Sequence, residues 1–146
     1  MTNLSKLNKT ADKILRNIIQ ICKMKSESGD YYKIDNNQNY LPLIVEFLDT
    51  TTYKEEQAEI FLIAHYGEMN GDLMADPSME FLITKDAIYP ISYRNDYAAL
   101  NGFRAYTRSF NLDNNIFFPK AMKEQTQFAN MWLNNIKMQQ NIKMIF

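Results

Sequence analysis

Hydrophobic positions change their spacing along this chain, and the changes mark out its elements. Over residues 10–25, Ile14, Ile18 and Ile21 recur at helical spacing, joined by Leu15, Ile19 and Cys22. Lys13, Arg16 and Lys23 flank that stripe, Thr10 stands where an N-cap belongs, and Asp12 lies in the first turn. The run Ser26-Glu27-Ser28-Gly29 should end the helix, with Gly29 taking a left-handed cap. A polar connector covers residues 35–39. Residues 41–48 are apolar with β-branched members and read as a strand, with Pro42 near its start, where a missing N–H is tolerated. Thr50-Thr51-Thr52 marks the exit. Residues 60–66 place Ile60, Leu62 and Ala64 on one face and Phe61 and Ile63 on the other, which predicts a central strand covered on both sides.

Two turn signals follow, Asn70-Gly71 and Asp76-Pro77. Residues 79–84 alternate, with Met79, Phe81 and Ile83 on one face, and Lys85-Asp86 is a short turn. Tyr89, Ile91 and Tyr93 alternate against Pro90, Ser92 and Arg94, as in a half-solvated strand. Asn101-Gly102 signals another turn, residues 103–110 a last strand, and residues 111–115 a loop. A second helix spans residues 119 to about 140: Met122, Gln125, Phe128 or Ala129, Trp132 and Ile136 keep a period near 3.6, and Pro119 suits its first turn. Helix, about five strands, helix is the order. Short strands with short turns predict an antiparallel meander, and the two terminal helices should pack on one face of it, an α+β fold in a single domain over residues 1–146.

At 146 residues and 17.2 kDa the chain has one domain's worth of length, enough for a real core without staples. Hydrophobic residues at 46% and charged residues at 23% argue against disorder, collagen and a disulfide scaffold. A net charge of −1 does not predict nucleic-acid binding. The single cysteine, Cys22, sits among isoleucines as a small buried hydrophobe. The longest uninterrupted apolar run, residues 60–64, is far below the roughly 20 residues a membrane span needs. The polar start of the chain has no apolar signal core, so a cytoplasmic location is expected. Asparagine doublets at 36–37, 114–115 and 134–135 fit an AT-rich genome, a clue to source and not to function.

The most informative segment is His65-Tyr66-Gly67-Glu68-Met69-Asn70-Gly71-Asp72-Leu73-Met74-Ala75-Asp76-Pro77-Ser78-Met79-Glu80-Phe81. Its His-Tyr, Asn-Gly-Asp, Met, Asp-Pro, Met, Phe pattern resembles a domain-of-unknown-function family of short proteins from bacteria, plasmids, conjugative elements and phages. Tyr89-Pro90, Tyr93-Arg94-Asn95-Asp96 and the upstream Leu41-Pro42-Leu43-Ile44-Val45-Glu46 extend the resemblance over residues 41–97. The family pattern is expected to carry Arg before the Asp-Pro and Glu after it, where this chain has Ala75 and Ser78. The resemblance implies an accessory protein of a mobile element; it supplies no activity and no active site.

His65 is the only histidine. With Glu68, Asp72, Asp76 and Glu80 it could hold Mg²⁺ or Mn²⁺, since hard cations take oxygen ligands. His65, Glu68, Asp72 and Asp76 are therefore the candidates for a metal-dependent hydrolase or nuclease. On a strand, however, His65 and Glu68 point to opposite faces unless the chain bends at Gly67. The structural alternative is a strand-end histidine bonded to a nearby acid, with Asp72 and Asp76 bonding backbone in turns. No nucleophile elbow, phosphate loop or dinucleotide spacing is present, and the reading carries neither cofactor nor resident metal.

Charge is polarised along the chain. Residues 55–84 hold Glu55, Glu56, Glu59, Glu68, Asp72, Asp76 and Glu80 with no Lys or Arg, while the first 25 residues hold Lys6, Lys9, Lys13, Arg16, Lys23 and Lys25 against Asp12. Tyr89, Tyr93, Arg94, Tyr97, Arg104, Tyr106 and Arg108 form an aromatic-and-arginine set that can stabilise a sheet, bind protein or stack on bases. Trp132 with Met122, Met131 and Phe128 reads as helix-to-sheet core, and Met138, Met144, Ile145 and Phe146 as a frayed tail or a homodimer contact. The leading expectation is a non-enzymatic accessory protein that binds a host protein, such as a nucleoprotein defence complex, and inhibits it. Glu68, Asp72, Asp76, Tyr93, Arg94 and Arg104 are its expected partner-binding residues. A metal-dependent hydrolase and a nucleic-acid-binding module are the alternatives.

Overall fold

A computed structural model describes residues 4–145. Helix α1 covers Lys9–Lys25, and its apolar stripe is buried as the spacing predicts. Asn8, not Thr10, is its N-cap: the Asn8 side-chain oxygen accepts from the Ala11 N–H at 2.8 Å. Its end also differs from expectation. Ser26 leaves the helix in an extended conformation and its hydroxyl accepts from the Gly29 N–H, so the left-handed Gly29 shapes the following turn rather than the cap.

Six strands form one antiparallel sheet in chain order: β1 Tyr31–Ile34, β2 Leu43–Tyr53, β3 Glu56–Met69, β4 Asp72–Ile83, β5 Ile88–Arg94 and β6 Tyr106–Arg108. Strand β1 has four residues and was not expected; too short to show a period, it exists because β2 offers it an edge. Strand β2 runs on through Thr50-Thr51-Thr52, which pair with β3 instead of marking an exit. Asn70-Gly71 makes the β3–β4 hairpin turn with both residues at positive φ. Asp76-Pro77, in contrast, is no turn. It lies inside β4 with a cis peptide bond, at a bulge where Ala64 pairs with Ser78 and Tyr66 with Ala75, so that two residues oppose His65 alone. The last predicted strand shrinks to β6, because a 3-10 helix, Asp96–Asn101, and its following loop take up the preceding chain. A small hairpin, β7 Phe110–Asn111 and β8 Ile116–Phe117, then leads into α2, Pro119–Gln139.

Both helices cover one face of the sheet. Ile14, Ile18, Leu133 and Ile136 meet Val45, Phe61, Ile63, Met79 and Phe81 there in the main core. Trp132 belongs to it, but Met131 is exposed and Met122 serves a second, smaller cluster with Ala58, Leu82, Ile91 and Phe110. That second cluster closes one end of the other face. The sheet curls until Tyr53, at the end of β2, reaches the rings of Tyr89 and Phe110, each at 5.8 Å. Strand β3 is therefore not covered on both sides along its length: Ile60 and Leu62 are only half-buried. The described tail is not frayed, since the buried Asn17 donates to the Lys143 carbonyl and accepts from the Ile145 N–H, both at 3.0 Å. Phe146 lies outside the described residues.

Candidate functional site

Antiparallel register decides which side chains share a face, because residues directly opposite point the same way. Two rows cross all six strands on the helix-free face. One runs Tyr31, Glu46, Leu62, Glu80, Ser92, Arg108; its neighbour runs Lys33, Ile44, Ala64, Ser78, Arg94, Tyr106. Small residues occupy the middle, Ala64, Ser78 and Ser92, and larger ones stand around them. The result is a groove of about 310 Å³ lined by Leu62, Tyr66, Glu80, Arg94, Asp96 and Tyr106, among others. That volume is at the lower end for a small-molecule cleft.

Polar groups in the groove are organised. The Ser92 hydroxyl donates to Glu80 Oε1 at 2.7 Å. Arg94 donates through Nε to Asp96 Oδ1 at 2.8 Å, while Asp96 Oδ2 accepts from the Ala75 N–H, also at 2.8 Å. Burial works against the Asp96 charge, but those two donors outweigh it and hold the carboxyl below its ordinary range. Burial, reinforced by the Glu46 carboxylate, pushes the Tyr66 phenol up, and Ser78 lies within hydrogen-bonding reach of it. Glu80 is half-buried and has no ion pair among the described residues.

The residues singled out from sequence are divided between the two faces. By strand alternation Glu68 shares the groove's face with Tyr66, and its partner Leu73 lines the groove's rim, 70% exposed. Arg94 is in the groove. Tyr93 is not: it points to the helix side and packs edge-on against Phe128 at 5.2 Å, so the expected common face for Tyr93 and Arg94 does not exist. Asp72 stands exposed at the hairpin tip, paired with Met69 on the alternate face, and Arg104 lies in the exposed loop after the 3-10 helix. His65 is 7% exposed, with Nδ1 at 3.0 Å from the Pro42 carbonyl and its ring edge-on to Trp132 at 5.6 Å. Its partner is a backbone carbonyl and not the acid expected, although Asp76 is close enough to act on its charge. Burial pushes its pKa down. His65 and Glu68 thus face opposite ways, and among the described residues no three His, Cys, Asp or Glu side chains are grouped to hold a metal ion.

Sequence reading missed Tyr66, Leu62, Ser78, Ser92 and Asp96 as groove residues and placed Glu80 in a metal set. For the four strand residues the signal existed, because they alternate with core positions on β3, β4 and β5, but it becomes a site only when the register is known; Asp96 starts the 3-10 helix and carried no such signal.

An antiparallel sheet with two helices on one face and a polar groove on the other describes an α+β protein built around an open sheet. The family described as Domain of unknown function (DUF6908) matches residues 9–142, and the chain belongs to it. No curated protein and no solved structure matches the chain. No helix among the described residues is long and apolar enough to cross a membrane.

Proposed function

We propose that this protein works by binding, and that the helix-free face of its sheet is where a partner protein docks. One observation carries the reading: two side-chain rows cross six strands, and among the described residues no α-helix lines the groove at their centre. Such a face combines the tyrosine and arginine content of binding hot spots with preorganised hydrogen bonds. Its charges are mixed, with Glu46, Glu68 and Glu80 among Lys33, Arg94 and Arg108, which suits a protein surface better than a phosphate backbone. Arg94, moreover, already has a carboxylate partner in Asp96. The metal-hydrolase alternative has less support, because its histidine is turned into the core. Within this reading the partner is a host protein, a component of a defence complex that the binding inhibits.

The test is affinity capture from host lysate by the wild-type chain and by Arg94→Glu, Leu73→Lys and Asp72→Lys variants, with light scattering to detect a second copy of the chain. The reading expects a stoichiometric protein to be lost with Arg94→Glu and Leu73→Lys and kept with Asp72→Lys. Equal capture by all four proteins would overturn it.

A further inference from the structure

Glu80 stands out on the open face. It is half-buried on a central strand, one of its oxygens is held by Ser92, and no cation pairs with it among the described residues. The neighbouring Arg94 does not fill that role, since its guanidinium is bonded to Asp96. Tyr66 and Tyr106 wall the groove, Glu46 lies near Tyr66, and Glu68 stands on the rim. A partner that covers this face removes water from Glu80. Burying a carboxylate without a counter-charge is costly, whereas the Arg94–Asp96 pair carries its own compensation. A basic group on the covering surface offsets that cost at this one point.

We propose that Glu80 is the anchor for a basic side chain of the partner protein, a lysine ammonium or an arginine guanidinium, entering beside Leu62 and Ser92. The inference rests on the docking reading above and names the chemistry of the docked surface. The carboxylate supplies a charge-assisted hydrogen bond through its remaining acceptor capacity. Leu62, directly opposite Glu80, meets the aliphatic stem. Register fixes the geometry, because Leu62, Glu80 and Ser92 are successive members of one cross-strand row.

The probe is a capped Gly-Lys-Gly peptide, titrated into the isotope-labelled full chain and followed by amide chemical shifts, with a capped Gly-norleucine-Gly peptide as the uncharged control. Saturable shifts at Leu62, Ser78, Glu80 and Ser92 are expected with the lysine peptide alone. Glu80→Gln keeps the side-chain shape and should weaken the binding about tenfold or more, as loss of a charge-assisted bond implies. Still groove amides, equal shifts with both peptides, or unchanged binding by Glu80→Gln would each overturn the proposal. The norleucine control needs no variant, so a folding defect cannot mask the result. If the peptides fail while Arg94→Glu still loses the captured protein, the anchor is refuted and the docking reading stands.

Discussion

At the scale of single residues, His65 shows how position decides chemistry. A carbonyl can only accept, so the bond to Pro42 assigns the proton to Nδ1 of a neutral ring. Burial pushes the folded pKa below the ordinary 6.5, with the Pro42 bond and Asp76 opposing it more weakly. As pH falls through 6.5 the unfolded chain binds a proton at this ring before the folded chain does. Stability should therefore be independent of His65 above that pH, fall as pH drops towards the folded value, and level off below it. Urea unfolding across this window should show the slope in the wild type and a flatter profile in His65→Gln. Asp96 behaves differently: its lowered carboxyl pKa confers stability above the ordinary 3.8 that is lost only in stronger acid. Strand alternation alone already set His65 and Glu68 on opposite faces. That Trp132 and Pro42 would enclose the ring was not legible, because both come from distant parts of the chain.

Among the elements, the β3–β4 hairpin and the 3-10 helix are fitted to each other at one glycine. A Cβ built on Gly67 would lie 2.5 Å from the Tyr97 hydroxyl and 3.5 Å from its ring carbon. Gly67 does not have a positive φ, so close approach rather than backbone freedom requires it. Gly67→Ala should cost about 1–3 kcal/mol by overpacking. Adding Tyr97→Phe removes the clashing oxygen and leaves ordinary contact distances, so the double variant should recover most of the loss in thermal or urea unfolding. A double variant as unstable as Gly67→Ala alone would show that the clash is not the cause. Element type was legible where the run was long, as in α1, α2, β3 and β5. It failed at β1, whose four residues carry no period, and at Asp76-Pro77, a turn signal that β4 accommodates in a bulge.

For the whole molecule, the ends of the chain are tied to its middle by buried amides. Gln140, at the C-cap of α2, is fully buried; its Oε1 accepts from the Asn36 N–H at 2.8 Å and its Nε2 donates to the Leu41 carbonyl at 3.0 Å. It thereby anchors the connector between β1 and β2 to the far end of the sequence. Gln140→Ala removes both bonds and should destabilise the protein by about 2 kcal/mol, with faster hydrogen exchange at the Asn36 amide. Unchanged exchange there would show that the connector is held by other contacts.

Local physics wrote the helical stripes, the strand alternation and the Asn70-Gly71 turn directly into the sequence, because each depends on residues a few positions apart. From these came the α+β class, the antiparallel order and the two helices on one face. The groove depends on pairing across distance: Leu62, Glu80, Ser92 and Arg108 meet only because three registers place them in one row. A one-residue slip in any of those pairings would turn that strand's side chains to the other face. Which tyrosines and arginines share a surface was therefore settled by tertiary structure, where burial of Phe61, Met79 and Phe81 under the helices fixes the register and leaves Glu80 on the open side.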